Sequence, residues 1–514
     1  MSTSGIAPKK SPLLLAAPSS GVQRLSLKGI KSAEWDRLEK AHRLRLFRRA
    51  ARRVPAYRSF LKEAKVQPEA VRSGEAFSAL PITNKANYLK INPLSSLFWD
   101  GSMREPHVLT STSGSTGTPT YFGRSQKVDE QSSNVHELIF NASSLDRRES
   151  TLLIVCFGMG VWIGGIITYQ AFEGMSRRGY PISILTPGIN KAEILKALRD
   201  LAPHYSQLIL AGYPPFLKDV VDEASTQGIS FAQHRVLLLF AAEAFTEGFR
   251  EYVAKKVGVQ NSLTDTINIY GSADIGTMAF ETPISILARR LAQKDSVIFA
   301  DLFHGAKKTP TLAQYIPHYV SFEAPGGEVL ITGDSALPLL RYSIGDRGGV
   351  FTYAELVERF KEHGIDLSKE ARASGIGQSV LELPFVFVYE RADFSTTLYG
   401  LQVYPETIRE VLIDQRFSEH VTGKLALTTK FDDEQNQYLE INIELKPRCE
   451  VEVRLRAELQ AEITRNLREK NSEFHELSDF LGERAEPKLV FWPYEDPLYF
   501  KPGIKQAWVV RPKS

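Results

Sequence analysis

The chain is 514 residues long and 43% hydrophobic, so it can bury a large core, and two or more domains are expected. Its 63 basic and 60 acidic residues leave a formal net charge of only +3, which calls for neither nucleic acid nor an acidic membrane surface as a partner. Its two cysteines, Cys156 and Cys449, are too few for a disulfide framework or a cysteine zinc site and indicate a reducing cytoplasm.

The N-terminal part of the chain has two segments that differ in composition and in the spacing of apolar residues. Residues 1–22 are rich in Ser, Pro and Ala, a composition that predicts a disordered tail. Their apolar run is too short for the hydrophobic region of a signal sequence. Residues 25–90 carry apolar side chains at helical spacing, which predicts helices. The basic run at 43–53 is interpreted as the solvated face of one such helix.

Beyond residue 80, short apolar runs alternate with amphipathic stretches, which predicts a parallel α/β sheet covered on both faces. The uncharged segment 151–172 is long enough to cross a bilayer. Four glycines interrupt it, and they favour a buried strand, a turn and the start of a buried helix instead.

A different pattern of predicted strands and helices begins near residue 390. Residues 425–446 resemble two strands, residues 451–470 a charged amphipathic helix, and residues 489–491 a short strand. The predicted fold class is therefore α/β. It has a tail (1–22), a large domain with parallel or mixed sheets flanked by helices (23–390), and a small mobile α+β domain (391–514).

The sequence TSGSTGTPT at 112–120 has the composition of a backbone that wraps a polyphosphate. Its glycines allow close approach to an anion, and its hydroxyl and N–H groups are donors for phosphate oxygens. It is not a Walker A motif, because Thr118 and Pro119 follow Gly117 where that motif has a lysine. Any lysine that serves this loop must come from elsewhere in the chain, and a plain solvated turn remains the alternative.

Six further motifs follow this loop in chain order: FGMGVWIGG at 157–165, AAEAFTEG at 241–248, YGSAD at 270–274, PLLRYSIGD at 338–346, ERAD at 390–393 and PGIK at 502–505. From about residue 80 to the C-terminus, this order resembles the adenylate-forming enzymes, which are the acyl-CoA synthetases, adenylation domains and luciferases. The phenylacetate–CoA ligase branch is the most similar. The GxG at 158–160 lacks the spacing of a dinucleotide-binding fingerprint.

The resemblance implies ATP-dependent activation of a carboxylic acid, aryl or similar, as an acyl-adenylate with release of pyrophosphate. Transfer to a thiol, that of coenzyme A, would follow. An amine or a carrier protein as acceptor stays open, as does a degenerate protein that only binds nucleotide. The expected partners are the acid, ATP, Mg²⁺ and coenzyme A, without nucleic acid or membrane, and a homodimer is left open.

Nucleotide-binding roles follow from the same resemblance. The loop, with Thr116 as a catalytic residue, would hold the β- and γ-phosphates, and Asp274 would be a catalytic Mg²⁺ ligand where the family more often has Glu. Asp346 would accept both ribose hydroxyls, because a carboxylate has two acceptor oxygens. The implied nucleotide-binding set is Ser113, Gly114, Ser115, Thr116, Gly117, Thr118, Ala242, Glu243, Tyr270 (stacked on adenine), Gly271, Ser272, Asp346 and Arg391.

The remaining roles concern catalysis and the acid. Lys505 would contact the carboxylate and the α-phosphate from the small domain, with Lys501 as its rival, and Asp393 would be the hinge. An aromatic slot for the acid would be lined by Phe157, Gly160, Trp162 and Phe245. Ordinary core packing is the alternative for these side chains.

Overall fold

The computed structural model describes residues 27–112, 120–160, 163–304, 306, 309–391, 396–450, 452–496 and 499–500. The predicted tail, residues 1–22, lies outside this set. The α-helices are α1 Ser32–Arg53, α2 Pro55–Glu63, α3 Gly74–Ser78, α4 Gln126–Ala142, α5 Ile163–Arg177, α6 Lys191–Asp200, α7 Pro214–Thr226, α8 Glu247–Lys256, α9 Ser262–Asp265, α10 Pro283–Gln293, α11 Ser296–Leu302, α12 Tyr353–Glu362, α13 Leu367–Ala373, α14 Pro405–Leu412, α15 Gln415–Ser418, α16 Val453–Lys470 and α17 Ser472–Leu481.

The strands are β1 Val108–Thr112, β2 Thr120–Arg124, β3 Thr151–Cys156, β4 Ile182–Leu185, β5 Gln207–Gly212, β6 Arg235–Ala241, β7 Thr266–Ser272, β8 Gly276–Phe280, β9 Thr311–Gln314, β10 Val320–Glu323, β11 Glu328–Gly333, β12 Leu339–Phe351, β13 Phe385–Arg391, β14 Thr396–Leu398, β15 Leu401–Val403, β16 Val421–Phe431, β17 Gln437–Leu445 and β18 Lys488–Trp492.

One large mixed sheet organises the described residues. Its strand order is β10-β11-β12-β13-β9-β8-β7-β6-β5-β3-β4. The strands from β7 to β4 run parallel to one another, whereas those from β8 to β10 are antiparallel to their neighbours. The predicted α/β fold class is confirmed, with the parallel sheet extended by an antiparallel half.

The parallel half of this sheet is covered on both faces. Along β3, Leu152, Ile154 and Cys156 lie in one hydrophobic cluster, whereas Leu153 and Val155 lie in another. Successive side chains of a strand point to opposite faces, so the two clusters are the two layers that cover the sheet. A third cluster packs the N-terminal helices against the antiparallel half.

The uncharged segment 151–172 forms a buried strand, β3, and the first part of a helix, α5, with a turn between them. This is the arrangement that its glycines predict. In the part of the chain that the structure describes, no helix is both long and apolar enough to cross a membrane.

The C-terminal elements form a small α+β unit. Strands β16, β17 and β18 make a three-stranded sheet, and α14 and α16 pack on it. This unit packs on α7, a helix that covers the large sheet, because the rings of Phe216 in α7 and Phe480 in α17 lie 4.9 Å apart and one hydrophobic cluster includes residues of both units. The boundary at residues 390 and 391 falls at the end of β13 and stays a prediction.

Candidate active site

The YGSAD motif forms the end of β7 and the turn into β8. Its last residue, Asp274, is 8% exposed, and Tyr342 Oη donates a hydrogen bond to Asp274 Oδ1 at 3.2 Å. Lys85 Nζ lies 4.0 Å from the same oxygen. A Cβ at Gly271 would come within 2.9 Å of the Gly276 carbonyl oxygen, so the close approach of the two strands at this turn requires glycine.

Strand pairing brings two of the predicted motifs together, and a side-chain hydrogen bond adds a third. β12, which carries the RYSIGD sequence, is antiparallel to β13, and Asp346 is the register partner of Arg391. Tyr270 Oη donates a hydrogen bond to Asp346 Oδ2 at 2.5 Å, across 76 residues of sequence. The Tyr270 ring stacks on Phe322, with centroids 6.1 Å apart. The predicted adenine and ribose residues are therefore in direct contact.

The strands on either side of segment 113–119, β1 and β2, form a β-hairpin. Thr112 at the end of β1 pairs with Thr120 at the start of β2, and Thr110 Oγ1 donates a hydrogen bond to the Ala273 carbonyl at 3.4 Å. The hairpin thus contacts the turn that carries Asp274. The candidate residues Ser113, Gly114, Ser115, Thr116, Gly117 and Thr118 lie outside the described residues, so their phosphate-binding role stays a prediction.

The AAEAF motif follows β6 and contacts the C-terminal unit. Ala242 has a positive φ of 76°, and the carboxylate of Glu243 accepts hydrogen bonds from the Gly400 backbone N–H and from Gln437 Nε2. Asn268 Nδ2 donates to the Glu243 carbonyl at 2.9 Å. Nothing in the motif pattern pointed to Gly400 or Gln437, and the role of Glu243 in an adenine pocket stays a prediction.

The two described aromatic candidates for the acid pocket, Phe157 and Phe245, lie in different hydrophobic clusters. Phe157 is 3% exposed and packs edge-to-face on Tyr213 at 5.0 Å, in the cluster on one face of the sheet. Phe245 belongs to the cluster on the other face and packs on Phe240 at 5.0 Å. Gly160 has a positive φ of 84°, and a Cβ added there would have no atom within 4 Å. Trp162 lies outside the described residues.

A small cleft lies between the segments that follow β3, β4 and β5 and the C-terminal unit. Tyr213, at its wall, is partly buried, and desolvation raises the pKa of its hydroxyl. The cleft is lined by Gly158, Ile189, Tyr213 and Phe216 from one side and by Tyr399, Leu401, Glu473, Glu476 and Leu477 from the other.

Several candidates cannot be placed. Lys505, Lys501 and Asp393 lie outside the described residues, and only the backbone of Arg391 is described.

Among the described residues, no group of three or more His, Cys, Asp or Glu side chains is arranged to hold a metal ion. Asp274 presents a single buried carboxylate, which fits Mg²⁺, since this ion uses one or two carboxylates together with substrate phosphates.

Comparison with known proteins shows where this architecture occurs. No family model matches the sequence. A complex of 2-hydroxyisobutyryl-CoA ligase with 2-HIB-AMP and CoA, in the thioesterification state, superposes with a TM-score of 0.64 and 16% identity, covering 96% of this chain and 94% of that one. The chain has the fold of this CoA ligase. An open conformation of the same ligase gives a TM-score of 0.53, also at 16% identity, over 96% and 95% of the two chains.

The sequence comparison agrees with this fold. Over 298 residues, 57% of this chain, the sequence is 24% identical to the phenylacetate-coenzyme A ligase of Thermus thermophilus. The match spans 61% of that protein, which is less than two thirds of its length. The resemblance to the adenylate-forming enzymes is thus confirmed for the fold.

Proposed function

We propose that this chain activates a carboxylic acid, aryl or similar, with ATP and transfers the acyl group to coenzyme A. A carboxylate oxygen of the acid would attack the α-phosphorus of ATP, and the bond to pyrophosphate would break. The thiol of coenzyme A would then attack the acyl carbon and release AMP. The observation that carries this proposal is the convergence of Asp274, Asp346 and Tyr270 beside the β1–β2 hairpin.

The described side chains suit the nucleotide. The Asp346 carboxylate can accept hydrogen bonds from a ribose diol, and the Tyr270 hydroxyl, which reaches it from β7, orients that carboxylate. Asp274 would hold Mg²⁺, which neutralises charge on phosphate oxygens when bound. Its buried position and its hydrogen bond from Tyr342 fix the carboxylate in one orientation.

Support for the acceptor comes from two sources. The solved structure of 2-hydroxyisobutyryl-CoA ligase, which has a similar fold, contains bound CoA. The Thermus thermophilus relative is named a coenzyme A ligase. Cys156 and Cys449 form no disulfide, which fits the proposed cytoplasmic setting.

The proposal is tested by ATP–pyrophosphate exchange with a panel of aryl, fatty and amino acids, followed by mass spectrometry of the products formed with coenzyme A or amines. We expect acid-dependent exchange and an acyl thioester. Asp346→Asn should abolish most of the exchange, whereas Asp200→Asn, at an exposed position on α6, should not change it. If exchange occurs and the product is an amide without a thioester, the acceptor is an amine and not coenzyme A. ATP binding without exchange for any acid would contradict the proposed activity.

A further inference from the structure

The basic run of α1 has no part in the proposed nucleotide site. Its Arg45 and Arg49 lie one helical turn apart, and Lys127 lies in the first turn of α4. We propose that these three cations, together with His42 and His318, form a binding site for a small oxyanion such as phosphate or sulfate. The inference goes beyond the proposed function, which assigns none of these residues to the nucleotide, the acid or the acceptor.

The cations are in excess over the carboxylates around them. Lys127 Nζ and Arg49 Nη1 lie 2.6 Å and 2.9 Å from one oxygen of Asp334, which follows β11. Arg45 is exposed, and no carboxylate in the described part of the chain forms an ion pair with it. The other nearby acid, Glu105, interacts electrostatically with Arg49 and Asp334. Three cations therefore share two carboxylates, and one positive charge is left over.

Two buried nitrogens of α1 lack hydrogen-bond partners among the described residues. His42 is 6% exposed and Trp35 is 1% exposed, and His42 Nε2 and Trp35 Nε1 are enclosed without a partner. A spacing of seven residues puts both side chains on one face of the helix. The Trp35 ring stacks on His318, which lies between β9 and β10, with centroids 6.1 Å apart. Because buried polar groups are nearly always hydrogen-bonded, these nitrogens indicate a polar ligand at this face.

The two histidines lie in a positive field. Burial, together with the charges of Lys127, His318 and Arg45, lowers the pKa of His42 to about 3, and Asp334 opposes them only in part. Burial, Lys127 and Arg45 likewise lower the pKa of His318 to about 4. A bound dianion would favour the protonated form of both rings, in which each ring nitrogen is a hydrogen-bond donor. Anion binding and proton uptake should therefore be linked.

The cations remain accessible from solvent. The Lys127 side chain is 47% exposed and that of Arg49 is 36% exposed, so an oxyanion can reach them without unfolding of the chain. Helix α4 adds to the attraction, because its dipole favours an anion at the N-terminus. Its N-cap, Ser125, makes no capping hydrogen bond through its side chain. Exposed cations beside buried, unpartnered nitrogens are a suitable arrangement for a small, multiply charged oxyanion.

The test measures sulfate binding to the folded full chain by calorimetry at constant ionic strength. Sulfate stays a dianion between pH 7 and pH 5, so any pH dependence belongs to the protein. We expect Arg45→Gln and Lys127→Gln each to weaken binding about fivefold or more, because each removes a cation beside a dianion. Arg58→Gln, at an exposed arginine on α2, is the matched control and should bind like the wild type. Inorganic phosphate should compete with sulfate.

The pH dependence tests the histidines. Wild-type affinity for sulfate should increase about threefold or more from pH 7 to pH 5, because the bound anion raises the pKa of the rings. His42→Gln should remove most of this increase. If His42→Gln is poorly folded, Arg45→Gln and Lys127→Gln provide the test without it.

No saturable binding, or binding that Arg45→Gln and Lys127→Gln leave unchanged, would overturn the site. A melting temperature that sulfate raises equally in every variant would also contradict it, since a general salt effect acts in this way. Sulfate held at the proposed nucleotide site would be displaced by ATP with Mg²⁺, whereas binding at the site on α1 should persist. The proposed function can fail separately, because no step of this test requires activity.

Discussion

The carboxylate of Glu243 accepts a hydrogen bond from the backbone N–H of Gly400, a residue 157 positions later in the chain. Gln437 donates to the other carboxylate oxygen at 2.9 Å. Glu243 thereby connects the end of β6 in the large sheet to the β14–β15 turn and to β17. Because the family resemblance also assigns this residue to the adenine pocket, we expect nucleotide binding and the placement of the C-terminal unit to influence each other.

Replacement of Glu243 by alanine should loosen the C-terminal unit. Hydrogen bonds to a charged group contribute about 1.5–3 kcal/mol each, so we expect amide hydrogen exchange of residues 396–403 to be faster by about tenfold or more. Hydrogen–deuterium exchange with mass spectrometry checks this. Glu193→Ala, at an exposed position on α6, is the control, and equal exchange in both variants would contradict the role of Glu243.

Gly400 should tolerate no side chain. Its φ is +85°, and a Cβ would come within 2.3 Å of the Tyr213 ring. Gly258 has a similar φ of +75° and nothing within 4 Å of its Cβ position, so Gly258→Ala measures the backbone strain alone. We expect Gly400→Ala to lower the melting temperature clearly more than Gly258→Ala. A similar decrease in both would show that the contact with Tyr213 relaxes at little cost.

Tyr270 is predicted to act through both its ring and its hydroxyl. Tyr270→Phe keeps a ring for stacking and loses the hydrogen bond to Asp346, whereas Tyr270→Ala loses both. Because stacking of a base on an aromatic ring contributes about 1–3 kcal/mol, we expect Tyr270→Ala to weaken ATP binding about tenfold and Tyr270→Phe by a smaller factor. Calorimetry measures both, with the exposed Tyr169→Ala as control. An unchanged ATP affinity in Tyr270→Ala would exclude the stacking role.

A buried ionic network should make the large sheet sensitive to the loss of a single charged side chain. Glu281 is 1% exposed and forms ion pairs with Arg250 and Arg289, both at 2.8 Å. Removal of one partner from a buried network leaves an uncompensated charge, so Glu281→Gln should lower the free energy of unfolding by about 3–5 kcal/mol.

Denaturant unfolding measures this loss for Glu281→Gln. The exposed pair of Arg454 and Glu458 on α16 provides the control, and Glu458→Gln should cost less than about 1 kcal/mol. A comparably small effect of Glu281→Gln would show that the network relaxes around the missing charge.

Three histidines should make stability depend on pH. Burial lowers the pKa of His136 to about 4, and burial together with nearby Lys127 lowers the pKa of His318 to about 4 and of His42 to about 3. The unfolded chain therefore binds protons first as pH falls below about 6.5. The stabilisation is complete above that pH and is lost progressively toward pH 4 for His136 and His318 and toward pH 3 for His42.

The measurement is the melting temperature between pH 7 and pH 5. For His136 the expected loss of stability at pH 5 is about 2 kcal/mol. His136→Gln should flatten the pH dependence, and His204→Gln, at an exposed position, should leave it unchanged. A melting temperature that is constant across this range would contradict the three lowered pKa values.

The sequence by itself determined the elements and the order of the motifs. Unbroken apolar runs predicted β3, β5 and β6, because strands covered on both faces need apolar side chains at every position. The glycines of segment 151–172 predicted a strand, a turn and a helix. These signals are local, since burial periodicity and turn chemistry act over a few neighbouring residues.

Only the tertiary structure decided which distant residues meet. The contacts of Tyr270 with Asp346, of Lys85 with Asp274 and of Glu243 with Gly400 depend on strand order and register across the sheet. The motif at 270–274 contained no sign that Lys85 would lie beside it, because Lys85 reaches that turn through the bridge of Thr83 with Tyr342. Such pairings arise from the collective packing of whole layers, which no short stretch of sequence specifies alone.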